Sequence, residues 1–132
     1  MNREDYDRYV TVFNAKDYDA VADFYAEPIS MEFFGVKISS REALKDFYAF
    51  LHAYVKESVT ILNFASSDTL TAVDGIVRVE GIADLTAEAL AARGLSQFFP
   101  IKLGEVQEMR QFIFYTITHG KIAKVECALM PG

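Results

Sequence analysis

The chain has no tryptophan, one cysteine, three prolines and two histidines among its 132 residues. A single cysteine, Cys127, cannot make an internal disulfide, and its presence fits a reducing cytoplasm. Two histidines and one cysteine, without close spacing to Asp or Glu, fall short of a standard ligand set, so no metal is expected. Positive charge is also scarce. Thirteen Lys and Arg stand against nineteen Asp and Glu, a net charge of −6. That balance argues against a nucleic-acid partner, whose phosphates need a basic face. No glycine-rich phosphate loop occurs, and no cofactor is expected. No Gly-x-Ser-x-Gly elbow or catalytic-cysteine context is present either. No apolar run approaches the ~20 residues that span a bilayer. The charged start, Met1 to Asp5, leads into an amphipathic stretch and not into a signal-peptide core. Neither a membrane partner nor export is expected.

What is abundant is large apolar side chains. The chain is 52 % hydrophobic and 14 % aromatic, with eleven Phe and seven Tyr. Such a chain can bury a core, which excludes intrinsic disorder. Its length suits one domain, expected to span residues 1–132, without linkers or repeats.

The apolar spacing gives the elements. Tyr6, Tyr9, Val10 and Phe13 fall at i, i+3, i+4 and i+7, one stripe of a helix over residues 3–16. Asp17 caps a short second helix running to Tyr25, and Pro28 prevents its continuation. Ile29, Met31 and Phe33 alternate with Ser30 and Glu32, a half-buried strand ended by Gly35. Ser39 and Glu42 form a capping box for a third helix that runs to about Tyr54. Its stripe is Leu44, Phe47, Tyr48, Leu51 and Val55, with His52 one turn beyond Tyr48.

Strands follow. Val59–Phe64 is one, and Ser66-Ser67-Asp68 is a turn. Thr69 to about Asp84 reads as a long strand. Asp74-Gly75 is either a bulge in it, the favoured reading, or a hairpin turn. Residues 85–104 break the rhythm with two helical turns stopped at Gly94, then Phe98-Phe99-Pro100. Glu105–Thr118, a His119-Gly120 turn and Lys121–Leu129 complete a hairpin. The order is α-α-β-α-β-β-(insert)-β-β, an α+β pattern.

Tyr9-Val10-Thr11-Val12-Phe13-Asn14-Ala15-Lys16-Asp17, then Phe24-Tyr25-Ala26, Arg41-Glu42-Ala43-Leu44-Lys45-Asp46-Phe47-Tyr48 and Gly120-Lys121-Ile122 occur in this order. Together they resemble the nuclear transport factor 2-like superfamily, including its SnoaL-like and ketosteroid isomerase-like branches. The resemblance implies a cone-shaped fold, with three N-terminal helices closing one side of a curved antiparallel sheet. It implies a ligand pocket in the hollow and pairing of two copies through the outer sheet face. It also implies where chemistry should sit. The isomerase branch's base position falls on Phe33, while Glu32 points to the opposite face. The branch's pocket acid falls on Ile113 or Phe112, and the cyclases' last-strand acid falls near Cys127. Tyr9 matches the helix-borne Tyr that bonds the substrate oxygen. With these carboxylates lost, a phenol with a pKa near ~10 cannot take the proton efficiently. Steroid isomerisation by the usual route is therefore not expected.

Fold does not fix function, so each candidate carries two readings. Tyr9 is either a core tyrosine or a donor into the pocket, and Tyr25 and Tyr48 share that ambiguity. His52 is the candidate acid–base group, or else a packed histidine. His119 reads as a solvated turn residue. Phe13, Tyr25, Met31, Phe33, Tyr48, Gln111, Ile113, Tyr115 and Cys127 are the expected ligand-binding wall. On the fifth strand Gln107, Met109, Gln111, Ile113, Tyr115 and Ile117 share the pocket face. Phe112 and Phe114 then lie on the outer face, where a second copy would cover them; a one-residue slip would invert this. Cys127 shares its face with Ala123, Val125 and Leu129. The 85–104 insert is a lid, an extension of the interface or a core-covering helix. Two functions remain open. One is a lyase, isomerase or hydratase acting on a small apolar ligand, with Tyr9 and His52 catalytic. The other is a non-catalytic binding or accessory dimer.

Overall fold

A computed structural model describes residues 1–130. Helix α1 spans Arg3–Asn14 and buries Tyr6, Tyr9 and Phe13, the three core positions of its stripe. Its start is a capping box between Asn2 and Asp5. Helix α2, Tyr18–Ala22, is capped by Asp17, which accepts from Ala20 N. It stops three residues short of Tyr25, whose backbone bridges to Ile122 instead.

Strand β1 is Met31–Phe33, and a second strand that the sequence reading missed, β2, is Val36–Ile38. Gly35 ends β1 as expected, and with Phe34 it turns the chain back into β2. Phe34 and Gly35 have φ of 49° and 78°, the paired left-handed geometry of a tight hairpin. Helix α3 covers Arg41–Leu51, and its cap is Ser40 rather than Ser39. Ser40 is extended and accepts from Ala43 N, so Glu42 lies one place too early to reciprocate. The helix ends at Leu51 with His52 as its C-cap.

Strand β3 begins at once, Val55–Ser66, four residues earlier than expected. β4 is Leu70–Gly81, helix α4 is Ala87–Ala92, β5 is Val106–Thr118 and β6 is Lys121–Leu129. The six strands form a curved, open sheet in the order β2-β1-β6-β5-β4-β3. It is antiparallel except where β1 runs parallel to β6, pairing Met31 with Val125. Asp74-Gly75 is not a hairpin. It lies inside β4, and the extra residue is Leu62 on β3, since Ile61 pairs with Gly75 and Asn63 with Asp74. The shift lets both Ile61 and Phe64 pack inward on the core. A second register shift, between Thr116 and Ile117, puts Ile122 on the inner face with Val125, displacing Ala123 from the expected row.

The expected parity of β5 holds: Gln111, Ile113, Tyr115 and Ile117 are buried, and Phe112 and Phe114 are exposed. The 85–104 insert is fastened to the sheet at Gly81. Its N–H donates to Glu105 O and its carbonyl accepts from Gly104 N. A Cβ there would lie 2.1 Å from Lys102 O, so only glycine admits this approach. Thr86 caps α4 by accepting from Ala89 N.

Candidate functional site

Helix, sheet and insert do not fill the space between them. A cavity of about 160 Å³ remains, walled by five tyrosines, five phenylalanines and aliphatic residues of β3, β4 and β5. Tyr9, Phe13, Tyr25, Met31, Phe33, Tyr48, Gln111, Ile113, Tyr115 and Cys127 all lie on that wall. The insert contributes Leu85, Gln97, Phe98, Phe99 and Ile101. Phe98 packs against Phe33, Phe34 and Phe47 at centroid distances of 6.2, 6.0 and 5.7 Å. Phe99, 60 % exposed, marks the opening.

The phenols of α1 and β5 are paired with one another. Tyr6 Oη lies 2.9 Å from Tyr115 Oη, and Tyr9 Oη lies 2.6 Å from Tyr25 Oη. In each pair one hydroxyl donates, so the other keeps a proton to give elsewhere. Burial pushes Tyr6 up to about 12 and holds Tyr9, Tyr25, Tyr48 and Tyr115 well above the ordinary phenol value. They are donors, not bases. Tyr48 spends its proton on Met31 Sδ at 3.7 Å, a weak acceptor that a ligand oxygen would readily replace. Burial likewise pushes the Cys127 thiol up to about 11, which makes it an inert wall group.

His52 sits behind the wall rather than on it. It is 5 % exposed, stacks on Tyr18, lies tilted against Tyr48 and meets Phe13 edge to face. Its Nε2 lies 2.9 Å from Glu57 Oε1 and its Nδ1 lies 2.7 Å from Tyr18 Oη. An ionised carboxylate only accepts, so Nε2 carries the proton and Nδ1 accepts from the Tyr18 hydroxyl. If His52 gains a second proton, Tyr18 can redirect its own to Tyr48 O, 3.3 Å away.

Glu57 is the residue that sequence reasoning missed. Contrary to the expected loss of carboxylates, the pocket keeps one: Glu57 lines the cavity, with its side chain 15 % exposed. The error came from starting the strand at Val59. Since β3 starts at Val55, the pleat places Val55, Glu57 and Val59 on one face. The alternation Val55-x-Glu57-x-Val59 was the available signal.

The sequence pattern of the SnoaL-like domain family matches residues 6–125. Comparison with curated proteins finds no match. Several solved structures share the fold. A proposed polyketide cyclase from Silicibacter sp. TM1040 superposes with a TM-score of 0.74 at 21% identity, covering 93% of this chain and 84% of that one. A SnoaL-like polyketide cyclase from Agrobacterium tumefaciens str. C58 gives 0.70 at 15% identity, with 95% and 87% covered. A protein of ketosteroid isomerase-like fold from Catenulispora acidiphila DSM 44928, solved in complex with trimethylamine, gives 0.71 at 10% identity, with 97% and 86% covered.

Proposed function

We propose, from the premise that the chain belongs to the SnoaL-like domain family, that its cavity binds a small, mainly apolar ligand and moves a proton on it, as a lyase, isomerase, hydratase or cyclase does. The observation that carries this reading is the Glu57 carboxylate on the wall of a cavity otherwise built of rings and aliphatic chains. A carboxylate can exchange a proton with carbon or oxygen, and a phenol can donate to the ligand's oxygen as charge develops there. Tyr9 and Tyr48 are the proposed donors and Glu57 the proton carrier. His52, assigned to catalysis from the sequence, becomes the group that fixes Glu57 by donating to it. The cavity volume favours a ligand near one ring in size, since a dry cavity of about 150 Å³ accepts benzene. Trimethylamine in the Catenulispora structure is also a small ligand.

Cyclohexanone in D₂O tests this reading without knowledge of the natural substrate. NMR should show exchange of its α-protons faster than in buffer. Glu57→Gln, which can still accept from His52, should slow that exchange on the order of 10²-fold. Saturable binding with exchange equal to buffer would favour the second reading, a non-catalytic binder; that reading draws on the phenols' pairing with each other. Absence of binding would contradict both.

Phe112 and Phe114, 37 % and 49 % exposed on the outer sheet face, support self-association through that face. A Phe112→Ser/Phe114→Ser double variant should sediment as a lighter species than the parent. The unpaired thiol of Cys127 supports a cytoplasmic setting. Among the described residues no helix is long and apolar enough to cross a membrane.

A further inference from the structure

The charge of the cavity wall has one sign. Glu57 is the acidic residue on it, and no Lys, Arg or His lines it among the described residues. His52 donates to one oxygen of Glu57, and a carboxylate has room for about four hydrogen bonds. Around this corner the rings of Phe13 and Tyr48 lie 5.1 Å apart, each within 5.5 Å of the His52 ring that holds Glu57.

Each class of ligand meets this corner differently. An anion would face the carboxylate with no basic group to offset the repulsion. A neutral ligand gains from the apolar wall but strips water from the carboxylate without a charge to offset the loss, so it binds more weakly than a cation of the same shape. A soft, weakly hydrated cation would meet a counter-ion and aromatic rings together, and aromatic rings bind methylated ammonium groups elsewhere. We propose that the ligand of this cavity is a compact organic cation, a tertiary or quaternary ammonium, with Glu57 as its counter-ion and Phe13 and Tyr48 beside it. The inference rests on the reading of the cavity as a ligand site, and it holds whether or not the ligand is turned over.

Choline and its uncharged carbon isostere, in which a tert-butyl group replaces trimethylammonium, have one shape and differ in charge. Isothermal titration of both at pH 8, above histidine's ordinary range, compares them directly. Salt at about 0.15 M screens the general attraction of cations by the net charge of −6. Choline should bind about tenfold more tightly than the isostere, and Glu57→Gln should bring the two within about twofold. Equal or tighter binding of the isostere by the parent protein would overturn the cationic ligand while leaving the pocket in place. A choline preference that survives Glu57→Gln would overturn Glu57's part in it. Binding of neither probe would remove the pocket reading and this inference with it.

Discussion

The two polar regions of the cavity are built on opposite plans. Where α1 meets β5, Tyr6, Tyr9, Tyr25 and Tyr115 satisfy one another in pairs, fully buried and uncharged. Where α3 runs into β3, Glu57 carries a charge and is tied through His52 to the half-buried Tyr18. The phenol side packs as core, with ring centroids 5.4–6.1 Å apart, in the range of favourable aromatic packing, and each pair keeps one hydroxyl proton to give. The carboxylate side is a connection between the cavity and the surface. Ring packing and charge thus sit in different parts of one cavity, so each can be disturbed with limited effect on the other.

The largest separation should come from alkali. An unfolded phenol ionises near 10, while burial holds Tyr6 up to about 12. Between those values the unfolded chain sheds protons that the folded chain keeps, so stability is intact below about pH 10 and falls as pH rises to about 12. Loss of circular dichroism should therefore coincide with tyrosinate absorbance. Core phenols that titrate near 10 in a still-folded protein would break the contrast.

Next in size is Tyr6→Ala. Tyr6 is 1 % exposed, and its removal leaves a void and orphans the Tyr115 hydroxyl. The expected cost is about 3–5 kcal/mol in urea unfolding. His52→Ala should cost less, about 2 kcal/mol, by leaving Glu57 and Tyr18 without their shared partner. A double-mutant cycle with Glu57→Gln should show coupling between these two sites and none with Tyr6. Tyr9→Phe is the mildest, about 1 kcal/mol, since only the bond to Tyr25 is lost. A larger loss for Tyr9→Phe than for Tyr6→Ala would mean that the pairing, rather than the packing, supports the phenol side.

Much of this was legible in the sequence because it depends on local period. The stripe Tyr6, Tyr9, Phe13 and the alternation Gln111, Ile113, Tyr115 each placed their side chains on the inner face, and the cavity is walled by them. What was hidden depends on where elements meet. The turn between α3 and β3 spans three residues, and its position decides whether Glu57 faces in or out. The Phe34-Gly35 hairpin was masked because a phenylalanine rarely accepts a positive φ. The parallel pairing of β1 with β6 joins segments about ninety residues apart, which no local pattern announces. His52 was recognised as a titratable group near the site, but its partners Tyr18 and Glu57 come from two other elements.

Xenon is an uncharged probe that occupies dry apolar cavities and forms no hydrogen bond of its own. Diffraction from crystals held under xenon pressure asks whether the hollow exists. A xenon atom bound among Met31, Ile113 and Tyr48 is the expected result. An interior that takes up no xenon, with those side chains packed against one another, would contradict it.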